Sequence, residues 1–164
     1  MTTFDRVFQY KIVAQILPTS EYLYRYKVKD TSTCEKCLEE CDTIIHRLYE
    51  CELVIPVVNK FFKYLYNKCD QNINISAIDY LFGIRGAKYN ALNQILLELK
   101  KRIFYSTIEE LLDVTFCEQF ISKLRSLMIK EKQIMLKNNA LDKFCSKWKD
   151  FSSIYDFNGP DCLF

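Results

Sequence analysis

Four side chains of the kinds that bind zinc lie within 18 consecutive residues of this chain. They are Cys34, Cys37, His46 and Cys51, in the order C-x2-C-x8-H-x4-C, and His46 is the only histidine among the 164 residues. Two cysteines separated by two residues can bind one ion from a tight turn, and a later histidine and cysteine complete a tetrahedral set. Because protein side chains fill all four positions, the pattern predicts one structural Zn²⁺ without an open coordination site.

The spacing leaves alternatives for the ligand set. Cys41 lies in the spacer and could replace Cys37 or Cys51 as a ligand. His46 and Cys51 are about 140° apart around an ideal helix, so both reach one ion only if the helix loosens before Cys51. The competing interpretation is that four of the eight cysteines align by chance and that His46 is a surface residue on a short helix. The cysteines outside the pattern are expected to be small core or half-exposed residues: Cys69, Cys117, Cys145 and Cys162.

The composition favours helices in a reducing compartment. Three glycines and three prolines leave little room for turn-rich sheets or flexible linkers, while 49% apolar residues can build a core. The N-terminus has no apolar run typical of a signal peptide, and no window resembles a membrane span. We therefore expect an intracellular protein of the nucleus or cytoplasm, with no membrane partner and no small-molecule substrate.

Apolar periodicity predicts an all-α fold, with a helical hairpin, a small CCHC zinc knuckle and then a helical bundle. The first helix is expected to end at Leu17-Pro18, and Ser20 is expected to introduce the second. The next helices should carry His46, behind a Thr43 cap, and residues 56–68. A short element over 75–84 is expected to break at Gly83, before a helix over 89–103. One longer helix from Ile108 to Met128 and a last helix after Asn138-Asn139 complete the prediction.

Positive charge is concentrated in residues 99–149, which hold 11 Lys or Arg against 6 Asp or Glu. If these cations share one side of the last helices, they could contact phosphates of RNA or DNA. Lysine-rich helix faces are also commonly just solvated. The candidate nucleic-acid-binding residues are Lys100, Lys101, Arg102, Lys130, Lys132, Lys143 and Lys147.

Several short motifs accompany the cysteine pattern. They are Phe8-Gln9-Tyr10-Lys11, Leu17-Pro18-Thr19, Tyr22-Leu23-Tyr24, Lys29-Asp30 before Cys34-Glu35-Lys36-Cys37, Thr43-Ile44-Ile45-His46, Tyr49-Glu50-Cys51, Leu81-Phe82-Gly83-Ile84, and Leu136-Lys137-Asn138-Asn139 through Lys147-Trp148. Over about residues 4–150 the chain resembles the zinc-binding region and C-terminal segment of reverse transcriptases from non-LTR (LINE-type) retrotransposons. Cys41 departs from that likeness.

The resemblance implies that Cys34, Cys37, His46 and Cys51 are the ligands, and that the chain acts beside a reverse transcriptase core during target-primed copying of element RNA. It divides the chain into a zinc-binding region (1–68, with the knuckle at 34–51), a helical C-terminal segment (69–155) and a tail (156–164). The chain has no Tyr-x-Asp-Asp polymerase motif and no room for an endonuclease, so we expect a non-catalytic region whose parent would be an RNA-directed DNA polymerase. The alternative is a helical protein-docking module with a structural zinc, retained or degraded from such an element.

Overall fold

The computed structural model describes residues 2–68 and 75–154, and within these ranges the chain is helical without a β-strand. The α-helices are α1 (Thr3–Val13), α2 (Ser20–Arg25), α3 (Ile55–Lys68), α4 (Ala77–Phe82), α5 (Asn90–Tyr105), α6 (Ile108–Leu112), α7 (Phe116–Lys137) and α8 (Leu141–Trp148). A π-helical turn, His46–Glu50, precedes α3, and 3₁₀ turns at Ala87–Tyr89 and Lys149–Phe151 adjoin α5 and α8. The all-α prediction, with a Cys/His cluster between the early helices, is confirmed.

The two N-terminal helices differ from the prediction at their ends. Helix α1 starts at a capping box between Thr2 and Asp5, and it ends at Val13, well before Leu17-Pro18. Gln15 has φ +56°, a left-handed conformation that an α-helix cannot continue. Helix α2 is capped by Thr19, whose hydroxyl accepts from the Tyr22 N–H, and not by Ser20 as predicted.

Helix α5 is the centre of the fold. It packs against α1, α4, α7, α8 and the π-helical turn. Its inward-facing residues recur at three- and four-residue steps and are buried, as an amphipathic helix requires. The largest of them include Leu92, Ile95, Leu96, Leu99 and Ile103.

The predicted long helix from Ile108 to Met128 is two helices, α6 and α7, so that prediction was wrong. Asp113 separates them, because its carboxylate accepts from both the backbone N–H and the hydroxyl of Thr115 at 2.8 Å. Such local side-chain bonds compete with continuation of a helix. Apolar spacing alone did not reveal the break, because the apolar pattern continues across it: Leu111 before the break and Phe116 after it are both buried.

The later turns follow the prediction. Ser76 forms a capping box with Asp79 at the start of α4, and α4 ends at Gly83, whose φ is +89°. Asn139, with φ +52°, turns the chain between α7 and α8. The polar stretch 70–74, Cys69, Cys162 and the predicted tail 156–164 lie outside the described residues. In the described ranges, no helix combines the length and apolarity needed to cross a membrane.

Candidate metal centre and charged surfaces

The four predicted ligands come together. One ligand atom from each of Cys34, Cys37, His46 and Cys51 lies within 4.8 Å of all the others, and Cys37 Sγ is 3.3 Å from His46 Nε2. Ligand atoms around a tetrahedral zinc are about 3.8 Å apart when the Zn–S distance is about 2.3 Å. The four ligand atoms are therefore nearly as close together as they would be around a bound zinc, and the cluster could hold one metal ion such as zinc.

A tight turn presents the first two cysteines. The Leu38 N–H donates to the Cys34 carbonyl at 2.9 Å, and Leu38 takes a left-handed φ of +64°. The Lys36 N–H points at Cys34 Sγ at 3.4 Å, and a backbone bridge between Thr33 and Cys41 closes the loop. Cys41 contributes backbone to this bridge, while its side chain is exposed and lies outside the four-residue cluster.

The π-helical turn brings His46 and Cys51 to positions from which both could bind one ion. The Cys51 N–H donates to the His46 carbonyl at 2.9 Å, a bond that spans five residues where an α-helix spans four. This wider turn places Cys51 above His46. The helix is wider before Cys51, as the spacing required. The widening comes from an ordered π-helical turn and not from fraying of the helix end.

Burial affects the three thiols differently. It raises the pKa of Cys34 to about 12 and also raises the pKa of Cys51. Burial would raise the pKa of Cys37 as well, but backbone N–H groups of Glu39 and Glu40, together with His46, lower it to about 7. Since metals bind thiolates, loading the site must release protons from the two buried cysteines.

His46 has a neighbour on its other ring nitrogen. Nδ1 lies 3.1 Å from Glu40 Oε2, an ion-pair distance without the alignment of a hydrogen bond. The Glu40 side chain is exposed and can turn to accept from Nδ1. Carboxylates in this position orient histidine ligands and raise their basicity.

A buried ion pair supports the cluster from behind. Asp42 is fully buried and accepts from Arg47 Nε at 2.6 Å, from Arg47 Nη2 and from the Ser20 N–H at 2.6 Å. The Arg47 guanidinium also lies 6.0 Å from the centre of the Phe104 ring on α5. The knuckle is thus fixed to both α2 and α5.

Lys36 makes a second connection to α5. Its ammonium donates to the carbonyls of Ile103 at 3.2 Å and Ser106 at 2.7 Å, at the C-terminal end of that helix. A cation there satisfies unpaired carbonyls and opposes the negative end of the helix dipole. The sequence analysis missed Lys36 because its partners on α5 are distant in the chain. It missed the Asp42–Arg47 pair because these charged residues resemble ordinary surface residues in the sequence.

The three consecutive cations on α5 are not an open patch. Lys100 is 2% exposed and donates to Gln9 Oε1 at 2.7 Å and the Leu81 carbonyl at 2.8 Å, and burial lowers its pKa to about 7. The Lys101 ammonium is paired with Asp5 and Glu98, each at 2.5 Å. Arg102 is paired with Glu110 at 3.3 Å. Lys100 is therefore buried and both Lys101 and Arg102 are paired with carboxylates, while the prediction that these residues bind nucleic acid stays a prediction.

The other four candidate cations lie on α7 and α8. Lys130 and Lys143 are exposed, whereas Lys132 and Lys147 are half-buried. Lys147 donates to Gln94 Oε1 at 2.6 Å and Glu131 Oε1 at 2.5 Å. Lys130 and Lys132 lie outside the cleft that contains Lys143 and Lys147.

That cleft has a volume of about 790 Å³ and brings four cations together. We call it the lysine cleft and define it by Lys88, Lys143, Lys147 and Lys149; Asp142 and Asp150 also line it. Lys149 belongs to the 11 cations of residues 99–149 but was not among the candidate residues, and Lys88 lies outside that segment. Lys88 was missed because the 3₁₀ turn that carries it is about 55 residues from α8 in sequence and meets it only in the fold.

No protein-family model, curated protein or solved structure matches this chain.

Proposed function

We propose that this chain is a non-catalytic, zinc-binding accessory region that binds RNA or DNA beside a reverse transcriptase core of the non-LTR type. The proposal rests on the convergence of Cys34, Cys37, His46 and Cys51 on one point. It also rests on the motifs that accompany those ligands and on the absence of polymerase and endonuclease motifs from the sequence.

The metal is proposed to be one structural Zn²⁺. Three thiolates and an imidazole suit zinc, and protein side chains at all four positions would leave no coordination site for a substrate. Zinc would hold the knuckle together and, through Lys36 and Arg47, hold α5 against it. Its binding free energy, on the order of 10 kcal/mol, would then be largely folding free energy.

Metal content tests the first part of the proposal. Purified protein should contain about one equivalent of zinc by mass spectrometry of the metal, and the double variant Cys34→Ser, Cys37→Ser should contain none. Cys41→Ser is the matched control, because its exposed side chain lies outside the cluster and its loss should leave zinc bound. Metal-free wild-type protein, or zinc loss in Cys41→Ser alone, would contradict the assignment.

The nucleic-acid part rests on the lysine cleft. Four lysines and two aspartates line one open groove, and Lys147 is also paired with Glu131, so Lys88, Lys143 and Lys149 are the cations that would attract the phosphates of a strand without reading its sequence. The Lys88 ammonium lies 4.8 Å from the centre of the Tyr89 ring, so an aromatic surface adjoins the cations. Aromatic rings beside cations are typical of single-strand binding surfaces.

Salt dependence tests this second part. Fluorescence anisotropy of a labelled single-stranded RNA should show affinity falling steeply between about 50 and 200 mM salt. Charge reversal in Lys143→Glu, Lys149→Glu should reduce the slope of log K against log salt by about 1.4, since each phosphate contact to a single strand contributes about 0.7. Lys63→Glu, an exposed change on α3 outside the cleft, is the control and should alter the slope much less.

One observation favours protein docking as a second candidate function. Helix α1 exposes four apolar side chains, with exposed fractions of 57% for Phe4, 45% for Val7, 63% for Tyr10 and 55% for Val13. Apolar residues on one exposed helix commonly contact a partner. Absence of RNA binding at low salt would reject the nucleic-acid proposal and favour docking of α1. Docking itself predicts that Phe4→Ser, Val7→Ser weakens binding to a co-purified polymerase core.

A further inference from the structure

A second cavity adjoins the lysine cleft. It has a volume of about 490 Å³, lies between α4 and α5, and shares Asn90 and Lys147 with the cleft. We call it the amide cavity because Gln9, Asn90, Asn93 and Gln94 contribute to its lining. A ligand seated on the lysine cleft could therefore extend into the amide cavity past these two shared residues.

The amide cavity contains an unusual buried cation. Lys100 lines it and is 2% exposed, and its ammonium uses two N–H donors on Gln9 and the Leu81 carbonyl. An ammonium has three donors, and in the described part of the chain the third has no oxygen acceptor, although Nζ lies 5.8 Å from the centre of the Tyr80 ring. A buried donor of this kind is costly to leave unpaired, so the cavity favours a ligand that brings an acceptor.

A second buried polar residue lines the same cavity. Tyr80 also lines it and is fully buried, and its hydroxyl has no hydrogen-bond partner among the described residues. The apolar part of the wall includes Phe82, Leu96 and Leu97. A cavity that combines apolar side chains with amide groups and one buried ammonium suits a planar ring that carries carbonyl oxygens, and not a bare phosphate, for which one ammonium is too little charge.

We propose that the amide cavity binds one unstacked base of a single-stranded nucleic acid whose phosphates lie on the lysine cleft. A base carbonyl would accept the third N–H of Lys100, and the ring would lie against Leu97 and Phe82. Single strands are commonly recognised in this way, with bases removed from the stack and hydrogen-bonded in pockets beside a cationic groove. The inference rests on the proposed nucleic-acid function and adds to it the part of the nucleotide that is recognised.

Comparison of two strands of equal length separates the inference from that function. The probes are a labelled oligouridylate of about 12 nucleotides and an abasic strand with the same number of phosphates. We expect the oligouridylate to bind the zinc-loaded protein at least about 10-fold more tightly, as one hydrogen bond to a charged donor provides. Equal affinity would overturn the base pocket and leave phosphate binding intact, whereas binding of neither strand would overturn both.

Variants locate the preference in the cavity. Lys100→Met should reduce the preference for bases to about 2-fold or less while affinity for the abasic strand changes little. Lys130→Met, an exposed change on α7, is the control and should keep the full preference. Leu97→Phe places a larger side chain in the cavity wall while keeping the Lys100 ammonium, and it should have the same effect as Lys100→Met, so it replaces that variant if Lys100→Met fails to fold. A folded variant of either kind that keeps the full preference would refute the assignment of the base to this cavity.

Discussion

Asp42 is expected to be the most sensitive polar residue of the knuckle. It is fully buried, and its carboxylate accepts three hydrogen bonds from Arg47 and the Ser20 N–H. Asp42→Asn keeps the shape of the side chain but removes its charge. The Arg47 guanidinium, which is 7% exposed, then stays buried without its closest countercharge.

The cost follows from this burial. Removing one partner of a buried ion pair costs about 3–5 kcal/mol, and we expect the lower end because the asparagine oxygen still accepts a bond. Glu35 Oε2, 3.6 Å from Arg47, also compensates in part, although its side chain is largely exposed. A chain of this length loses about 2–4 °C of melting temperature per kcal/mol. Asp42→Asn should therefore lower the melting temperature by about 6–12 °C.

Thermal unfolding of the zinc-loaded protein, followed by circular dichroism, measures this loss. Asp30→Asn is the matched control, because Asp30 is exposed and its change should cost no more than about 0.5 kcal/mol. The double variant Asp42→Asn, Arg47→Met should cost less than the sum of its single changes, since it removes the uncompensated charge. A loss below about 1 kcal/mol in Asp42→Asn would refute the role given to the ion pair.

Three further changes probe the contacts around α5. Lys36→Met should lower the free energy of unfolding by about 2 kcal/mol, measured by urea denaturation, because two carbonyls at the end of α5 lose a charged donor; an unchanged midpoint would refute this contact. Gly83→Ala should cost about 1 kcal/mol or more, because φ is +89° and an added Cβ would lie 3.3 Å from Asn93 Oδ1; stabilisation in the same assay would contradict the strain. Lys100 has a pKa of about 7 when folded and an ordinary, higher pKa when unfolded, so the unfolded state binds more protons between those values and the wild type should gain stability as pH rises above about 7. The gain should be absent from Lys100→Met. Identical pH profiles of wild type and variant would show that folding does not lower the pKa of Lys100.

The Cys/His cluster was predictable from sequence because a metal site of this kind requires a local spacing of its residues. Cys34, Cys37, His46 and Cys51 lie close in the chain, and few chance arrangements match their order. Helix class was predictable for a similar reason, since apolar steps of three and four residues are local signals. Both successes concern information held within one or two helical turns.

The failures concern contacts between distant residues or bonds that apolar spacing does not reflect. Lys100 reads as a surface cation, yet its acceptors are Gln9 and the Leu81 carbonyl, which only the fold brings near. Lys88 joins the lysine cleft in the same way. The break at Asp113 depends on a side-chain bond within an unbroken apolar pattern. Charge and periodicity did not distinguish these cases from their more common alternatives.

The number of residues between His46 and Cys51 depends on the backbone shape of the π-helical turn. Two residues with three others between them share one face of a regular α-helix. Two residues with four others between them share a face only where the turn contains one extra residue. Leu48 lies inside the turn, and its deletion would leave three residues between His46 and Cys51. The same two side chains could then lie on one face of an ordinary α-helix. The extra residue therefore shifts Cys51 and the start of α3 together by one position relative to His46. A deletion that restored a regular α-helix would consequently keep His46 and Cys51 on one face while turning α3 by about 100° relative to the turn that carries His46.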